Sequence, residues 1–511
     1  MYTRVLTRTQ GLPLRRTFAT TAQRASARTL QNYINNQFVP SSASSVLPVT
    51  SPHDGKVIAN VPLSPASEAD SAVAAAKKAF PEWSSLTVKD RVQYLYKLHR
   101  ALTDNMDELA KLIQMEHGKN YTEAIGSISK GMETLEYAIS LPQLIQGKIL
   151  DVSRGVSCFD RREPLGVVAG IVPFNFPIMI PLWLLPFSIA CGNTFVLKPS
   201  EKVPLTMNRV YEMIKDIGLP EGVVNLVNGD SNVVNALIDN KDVKAVAFVG
   251  SSRVAEIVAQ RSQQNGKRVL ALGGAKNHLV AAPDCNVEMT AQDVVNSFSG
   301  CSGQRCMAAS ALLIVGKQQA LLDQIVKRAS TLKVSREDGC VGPVIDEAAQ
   351  NKILGYINDA EKAGAQILLD GRQHAQGKEG WWVGPTIILH KNKSDAALRE
   401  EIFGPVLSVY ECSTPEEAIE IENSNPYGNA ACIYTTTGAT ADWFTRRFST
   451  GMVGVNIGTP VPREPFSFGG INKSRFGSHV DMTGDGGIEF FTWRRKITTK
   501  WTKPAEQHWL N

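Results

Sequence analysis

Between residues 166 and 253, short apolar runs rich in β-branched residues alternate with segments of helical period. GVVAGIVPF precedes a helical stretch, TFVLKPS a helix over residues 205–217, VVNLVNG a helix over 233–239, and AVAFVGSS a helix from Arg253. Such runs lack a polar face, so each must be a strand covered on both sides, and the intervening helices supply the cover. The pattern predicts a doubly wound α/β unit on a parallel sheet, with a ligand crevice beyond the carboxyl ends of its strands. A second alternating unit starts near His278 with HLVAAP, a helix over 287–299 and ALLIVG. It runs on through helices over 321–332 and 347–363 to about residue 466. Ahead of both, residues 32–63 read as short strands, and Ser67, Glu68 and Asp70 form a cap region that opens a helical stretch reaching about residue 138. The segment IEFFTWRRKITTKW alternates like an edge strand, which needs a partner that another subunit could supply.

A chain of 511 residues exceeds what one hydrophobic core supports, which agrees with two or three units. Residues 1–30 differ from the rest. They hold Arg4, Arg8, Arg15, Arg16, Arg24 and Arg28, many Ser and Thr, and no lysine, and the first acidic residue of the chain is Asp54. That composition resembles a mitochondrial transit peptide and predicts a matrix location; a basic tail that stays attached has the same composition. Without these arginines the formal charge falls from +5 to −1, and no basic block remains for nucleic acid. Residues 164–197 carry no charge and are long enough to cross a bilayer, but they contain five prolines. Lipid cannot replace the backbone hydrogen bonds these remove, so the stretch reads as buried interior and no membrane partner is expected.

The eight cysteines include no CxxC and no Cys/His cluster with zinc-like spacing. Cys301 and Cys306 lie in SGCSGQRCMAAS, and a reducing matrix argues against joining them. A thiolate beside Arg305 would have a lowered pKa, which makes Cys306 the stronger nucleophile; Cys301 has no flanking charge. Asn175, fixed between prolines in VPFNFP, offers an amide to an oxyanion. No GxGxxG follows any strand. Gly250 and Ser251 instead make a small-residue turn into a helix, where a phosphate can meet free N–H groups. Lys198 and Glu201, in LKPSE, stand just past a strand end, where a ribose could sit.

VPFNFP, LKPSE, FVGSS, LGGAKNH, GQRC and EEIFGPV occur in this order over nearly the whole chain. In these motifs the sequence resembles the aldehyde dehydrogenase superfamily. PFNFPIMIPLW, GAKNH and GQRCMA look like its methylmalonate-semialdehyde dehydrogenase branch, which acylates coenzyme A. The resemblance implies an aldehyde-dehydrogenase-like α/β fold. Its parts would be a Rossmann-type NAD-binding domain over residues 31–142 and 165–271, and an α/β catalytic domain over 272–475. A small β oligomerisation segment, from 143–164 and 488–511, would serve a homotetramer or dimer. Cys306 would attack the aldehyde, and Asn175 with the Cys306 N–H would hold the oxyanion. A hydride would pass to NAD. Val172, Pro173, Phe174, Lys198, Glu201, Gly250 and Ser251 would contact that cofactor, with Glu401 and Phe403 on the nicotinamide-ribose side.

Hydrolytic members of the superfamily carry a glutamate in ELGGK that activates water. Aligned on GAKNH, its place holds Leu272, which cannot be a base. The resemblance then implies coenzyme A as the acceptor, a co-substrate thiol that needs no strong base; the alternative is hydrolysis assisted by another carboxylate such as Glu401. A carboxylated semialdehyde calls for cations in the pocket. Arg305 fits, and a second family arginine falls at Lys130, a point charge without the guanidinium fork. Malonate and methylmalonate semialdehydes both remain open. A hydrolytic aldehyde dehydrogenase and a silent scaffold are the rival readings; Leu272 opposes the first, and Cys306 with Asn175 the second.

Overall fold

Five parallel strands form the spine of the first unit: Val224–Leu226, Thr194–Lys198, Val167–Ile171, Val243–Val249 and Arg268–Leu272, in that spatial order. The chain builds outward from Val167–Ile171 to one side, then crosses to Val243–Val249 on the other. The strand order therefore reverses between these two, and that reversal opens a crevice at their carboxyl ends. Val167–Ile171 and Thr194–Lys198 are buried at every residue, as runs with no polar face require. The structure, a computed structural model, describes residues 28–377 and 379–501.

The uncharged stretch is strand, loop and helix. Every residue of the Met179–Ala190 helix is buried, Pro186 included. It packs on the Tyr121–Ile139 helix at Gly131, where an added Cβ would lie 2.9 Å from the Leu182 side chain. Among the described residues no helix is long and apolar enough to cross a membrane.

The second unit is a seven-stranded sheet in the order Gln366–Leu369, Thr386–Leu389, Val406–Cys412, Ala309–Val315, Asn277–Ala281, Ala430–Tyr434, Met452–Val455. All pairings but the first are parallel. The Val287–Ser299 helix covers one face, with Val294, Val295 and Phe298 in the core. The amino ends of this sheet face the carboxyl ends of the first, so the connections at both edges meet at one place.

Several expectations change. Residues 28–30 belong to the fold: Thr29 bridges to Asn60, Leu30 N–H donates to the Asn60 carbonyl at 2.8 Å, and the Leu30 side chain is buried with Val49 and Val61. The fold thus includes residues 28–30, ahead of the boundary expected at residue 31; residues 1–27 lie outside the described residues. The helix Ala66–Ser85 starts after Pro65 with no side-chain cap. Glu68 instead accepts from the Asn32 side chain at 2.6 Å and from the Ser42 N–H at 2.6 Å, tying that helix to the preceding loop. Residues 475–477 return to pair antiparallel with Arg268–Leu272, so the first sheet regains the chain where the catalytic unit was expected to end. The IEFF segment is the end of the helix Gly484–Phe491, not a strand, because Ile488, Phe490 and Phe491 must all be buried against the first unit. Thr492–Lys500 does form a strand, and its partner is Val156–Pro164 of the same chain. With Ile149–Ser153 the two make a separate three-stranded sheet; residues 502–511 lie outside the described residues.

Candidate active site

A cavity of about 450 Å³ occupies the place where the two sheets face each other. Val172, Pro173, Phe174, Asn175, Lys198, Glu201, Gly250, Ser251, Cys306, Glu401 and Phe403 all line it. Residues up to 231 positions apart, Val172 and Phe403, are thus brought together by topology. Arg305 and Lys130 are absent from its lining.

One half of the cavity suits a dinucleotide. Ser251 caps the Ser252–Gln264 helix without offering a side-chain hydrogen bond, which leaves first-turn N–H groups directed at the crevice. A Cβ on Gly250 would lie 2.5 Å from the Phe248 ring, so only glycine leaves this approach open. Lys198 Nζ donates to Glu201 Oε2 at 2.6 Å. Burial by itself would raise the Glu201 pKa, but Lys198 outweighs it and keeps the carboxyl ionised, ready to accept from sugar hydroxyls. Phe403, at φ 61°, meets Phe174 edge to face with ring centroids 5.9 Å apart. Helix N–H groups for phosphate and carboxylates for ribose make a set that fits NAD.

The other half holds the thiol. Cys306 lies three residues before the Ala309–Val315 strand, and its carbonyl oxygen accepts from Asn277 Nδ2 at 2.7 Å and Asn429 Nδ2 at 2.9 Å. Both asparagines stand at the starts of neighbouring strands. The thiol pKa is pushed up to about 12, chiefly by burial and then by the charge of Glu401; the local backbone N–H groups and Arg305 oppose this without prevailing. Arg305 thus lowers the thiol pKa as expected, but burial and Glu401 outweigh it, so the net shift is upward. Glu401 accepts the Ala275 N–H at 3.0 Å, and burial raises its own pKa more than Lys352 and Lys276 lower it. Asn175 Nδ2 donates to the Gln304 carbonyl at 3.0 Å, which fixes the amide beside the Cys306 loop. Gly303 lets that loop close: a Cβ there would lie 1.9 Å from the Gly404 carbonyl. Leu272 lines the same space.

Both cysteines of the motif are free. Cys301 is buried at φ 52°, and its N–H donates to Glu123 at 2.6 Å. The Arg305 guanidinium donates to the carbonyls of Asn296 and Ser297, at 2.8 Å each. These belong to the last turn of the Val287–Ser299 helix, whose negative dipole end attracts a cation away from the cavity. Lys130 pairs with Glu133 at 2.8 Å and lies 3.7 Å from Glu464. Neither expected carboxylate-binding cation therefore faces the aldehyde. That end of the cavity is lined by Phe176, Ile180, Trp183 and Phe468. Sequence reasoning did not single out Asn277, Asn429 or Lys119; only Asn277 had a signal, as part of the GAKNH motif.

The aldehyde dehydrogenase family model matches residues 38–497. The chain belongs to the aldehyde dehydrogenase family. A malonate-semialdehyde dehydrogenase of Bacillus cereus is 44% identical over 478 residues, covering 92% of this chain and 98% of the relative. One from Geobacillus thermodenitrificans is 43% identical over 481 residues, covering 93% and 99%. Among solved structures, methylmalonate-semialdehyde dehydrogenase of Oceanimonas doudoroffii superposes on this family member with a TM-score of 0.91 at 38% identity, covering 93% of this chain and 99% of that one. A Sinorhizobium meliloti protein described as the same enzyme, complexed with NAD, also gives 0.91, at 36% identity and with 94% and 99% covered.

Proposed function

We propose that this aldehyde dehydrogenase oxidises malonate or methylmalonate semialdehyde and passes the acyl group from Cys306 to coenzyme A. The observation that carries the acceptor is Leu272 on the cavity wall beside Cys306, where a water-activating base would otherwise stand. The names of the relatives support the semialdehyde. The Cys306 sulfur attacks the aldehyde carbon after losing its proton, and a C–S bond forms. The aldehyde oxygen becomes an oxyanion, held by the Asn175 amide and the Cys306 N–H. NAD, when bound, accepts the hydride that leaves as the oxyanion collapses to a thioester. The coenzyme A sulfur then bonds to the acyl carbon as the Cys306 C–S bond breaks, one thioester exchanging for another. A carboxylate on the carbon next to the thioester leaves as CO₂, the electron pair left on that carbon takes up a proton from water, and the product is acetyl- or propionyl-coenzyme A.

The residues of the aldehyde end do not supply the cation that a carboxylate prefers, so the choice between the two semialdehydes rests on the relatives. A hydrolytic reading has one observation behind it: Glu401, a carboxyl with a raised pKa, lines the same cavity. A matrix location is proposed from the arginines of residues 1–27 alone, since the relatives compared are bacterial. A homo-oligomer is proposed from the open edge of the Ile149–Ser153 strand, on which Ile149, Leu150 and Val152 are exposed.

The deciding experiment follows NADH in a single turnover and then in steady state, with coenzyme A varied from zero. A burst that stalls without coenzyme A, with turnover restored by adding it, is expected. Undiminished turnover to a free acid without it restores the hydrolytic reading.

A further inference from the structure

Lys119 is 2% exposed, in the segment EHGKN between the helices Met106–His117 and Tyr121–Ile139. A buried ammonium needs acceptors, and this one has few. Its Nζ donates to the backbone carbonyl of Asn175, stands 4.2 Å from the centre of the Phe176 ring, and lies 3.5 Å from His117 Nε2. Among the described residues no carboxylate forms an ion pair with it. The charge is thus directed at the residue that presents the oxyanion amide and at the aromatic side chain next to it.

The same junction grips the nucleophile's loop. Gly118, at φ 88°, ends the first helix in the left-handed region. Asn120 caps the second in a capping box with Glu123. Glu123 also accepts the Cys301 N–H at 2.6 Å, and Asn120 Nδ2 donates to the Cys340 carbonyl at 3.0 Å. From one turn, then, Lys119 holds the Asn175 loop while Glu123 holds the Cys301–Cys306 loop. Those two loops carry the two halves of the oxyanion site.

We infer that Lys119 is a positioning residue for aldehyde oxidation, fixing the Asn175 amide relative to Cys306 through a charge-assisted bond to the Asn175 carbonyl. The inference rests on the thiol and oxyanion chemistry proposed above, and is independent of the acyl acceptor and of a carboxylate on the substrate. A charge-assisted hydrogen bond is about twice as strong as a neutral one, and the attraction to the ring adds to it.

The test is a double-mutant cycle on the NADH burst of the full chain, with propanal as the probe aldehyde. Lys119→Met is expected to slow the burst by about tenfold to a hundredfold, the loss typical of one charge-assisted bond. NAD affinity should be unchanged. Because Lys119 acts through Asn175, the variant carrying both Lys119→Met and Asn175→Ala should be no more than about threefold slower than Asn175→Ala alone. Multiplicative losses, an unchanged burst in Lys119→Met, or a parallel loss of NAD affinity overturns the inference. An unchanged burst in Asn175→Ala strikes the oxyanion reading beneath it instead. A measurement on the unaltered protein covers the case in which Lys119→Met does not fold. Burial places the Lys119 pKa below the ordinary 10.5, so its charge is present below that value and lost as pH rises through it. The rise of burst rate with pH should break to a plateau below pH 10.5, and an unbroken rise overturns the inference.

Discussion

Asn429 Nδ2 donates to the carbonyl oxygen of Cys306 at 2.9 Å, so the Cys306 peptide is anchored from the start of a strand two places away in the sheet. Asn277 makes the companion bond at 2.7 Å. A thiol at the amino edge of a sheet would otherwise sit on a free loop. The paired amides give it the precision of the strands that carry them.

Truncating one anchor is expected to loosen the thiol without removing it. In Asn429→Ala, losing a buried hydrogen bond costs about 1–2 kcal/mol. The NADH burst should slow by roughly tenfold while the melting temperature moves little, since most of the surrounding packing stays. Stopped-flow NADH absorbance checks this; an unchanged burst would show that the Asn277 bond suffices.

The two cysteines should separate cleanly. Cys306→Ala is expected to abolish NADH formation and Cys301→Ala to leave most of it, because only Cys306 lines the cavity. Mass spectrometry of enzyme quenched after the aldehyde and NAD are added, without coenzyme A, should place the acyl group on the peptide containing Cys306.

The thiol's titration has a direction and a cause. Burial and Glu401 raise its pKa to about 12, so the nucleophilic thiolate gains population as pH rises. Alkylation by iodoacetamide without cofactor should keep accelerating well beyond pH 9.0, where an ordinary thiol begins to level off. Glu401→Gln removes a nearby negative charge and should shift the profile to lower pH. A shift to higher pH, or none, would show that Glu401 does not act on the thiol.

Arg305 and Lys130 give an expectation opposite to a carboxylate-binding role. Arg305→Leu breaks two bonds to helix carbonyls, so it should lower the melting temperature and depress turnover of propanal and a carboxylated semialdehyde alike. Lys130→Ala should show no bias against the semialdehyde, since the lysine is engaged by Glu133. A KM rising tenfold or more for the semialdehyde alone would put the guanidinium in the pocket during turnover.

Lys276 predicts a stability effect. It is fully buried, donates to the Ala397 carbonyl at 2.7 Å, and has its pKa lowered to about 7, chiefly by burial. Between that value and the ordinary 10.5 the unfolded chain binds the extra proton, so the native protein gains stability as pH rises through this window. The melting temperature of Lys276→Met minus that of the unaltered protein should therefore fall from pH 7 to pH 10. A difference that is constant with pH would mean the lysine keeps its proton.

What the sequence made legible is what depends on local pattern. The strands of the first sheet showed as apolar runs because both their faces are covered, and the 287–299 helix showed through its period. Cys306 and Asn175 stood out by chemistry and neighbouring residues. Arg305 shows where that reasoning stops: adjacency to Cys306 fixes its Cα, but its side chain turns to carbonyls at a helix end eight and nine residues earlier. Lys119 left no mark either, because nothing in EHGKN says the lysine will be enclosed by a loop 56 residues away. IEFF misled for a third reason: a short run buried on every side carries no period that separates helix from strand.

Leu272 has one more consequence. Under the proposed transfer to coenzyme A, an acyl-enzyme walled by leucine would hold activated carbon for as long as that thiol is scarce. Its throughput would then follow the supply of free coenzyme A more closely than the supply of aldehyde, and the enzyme would act as a valve opened from the product side.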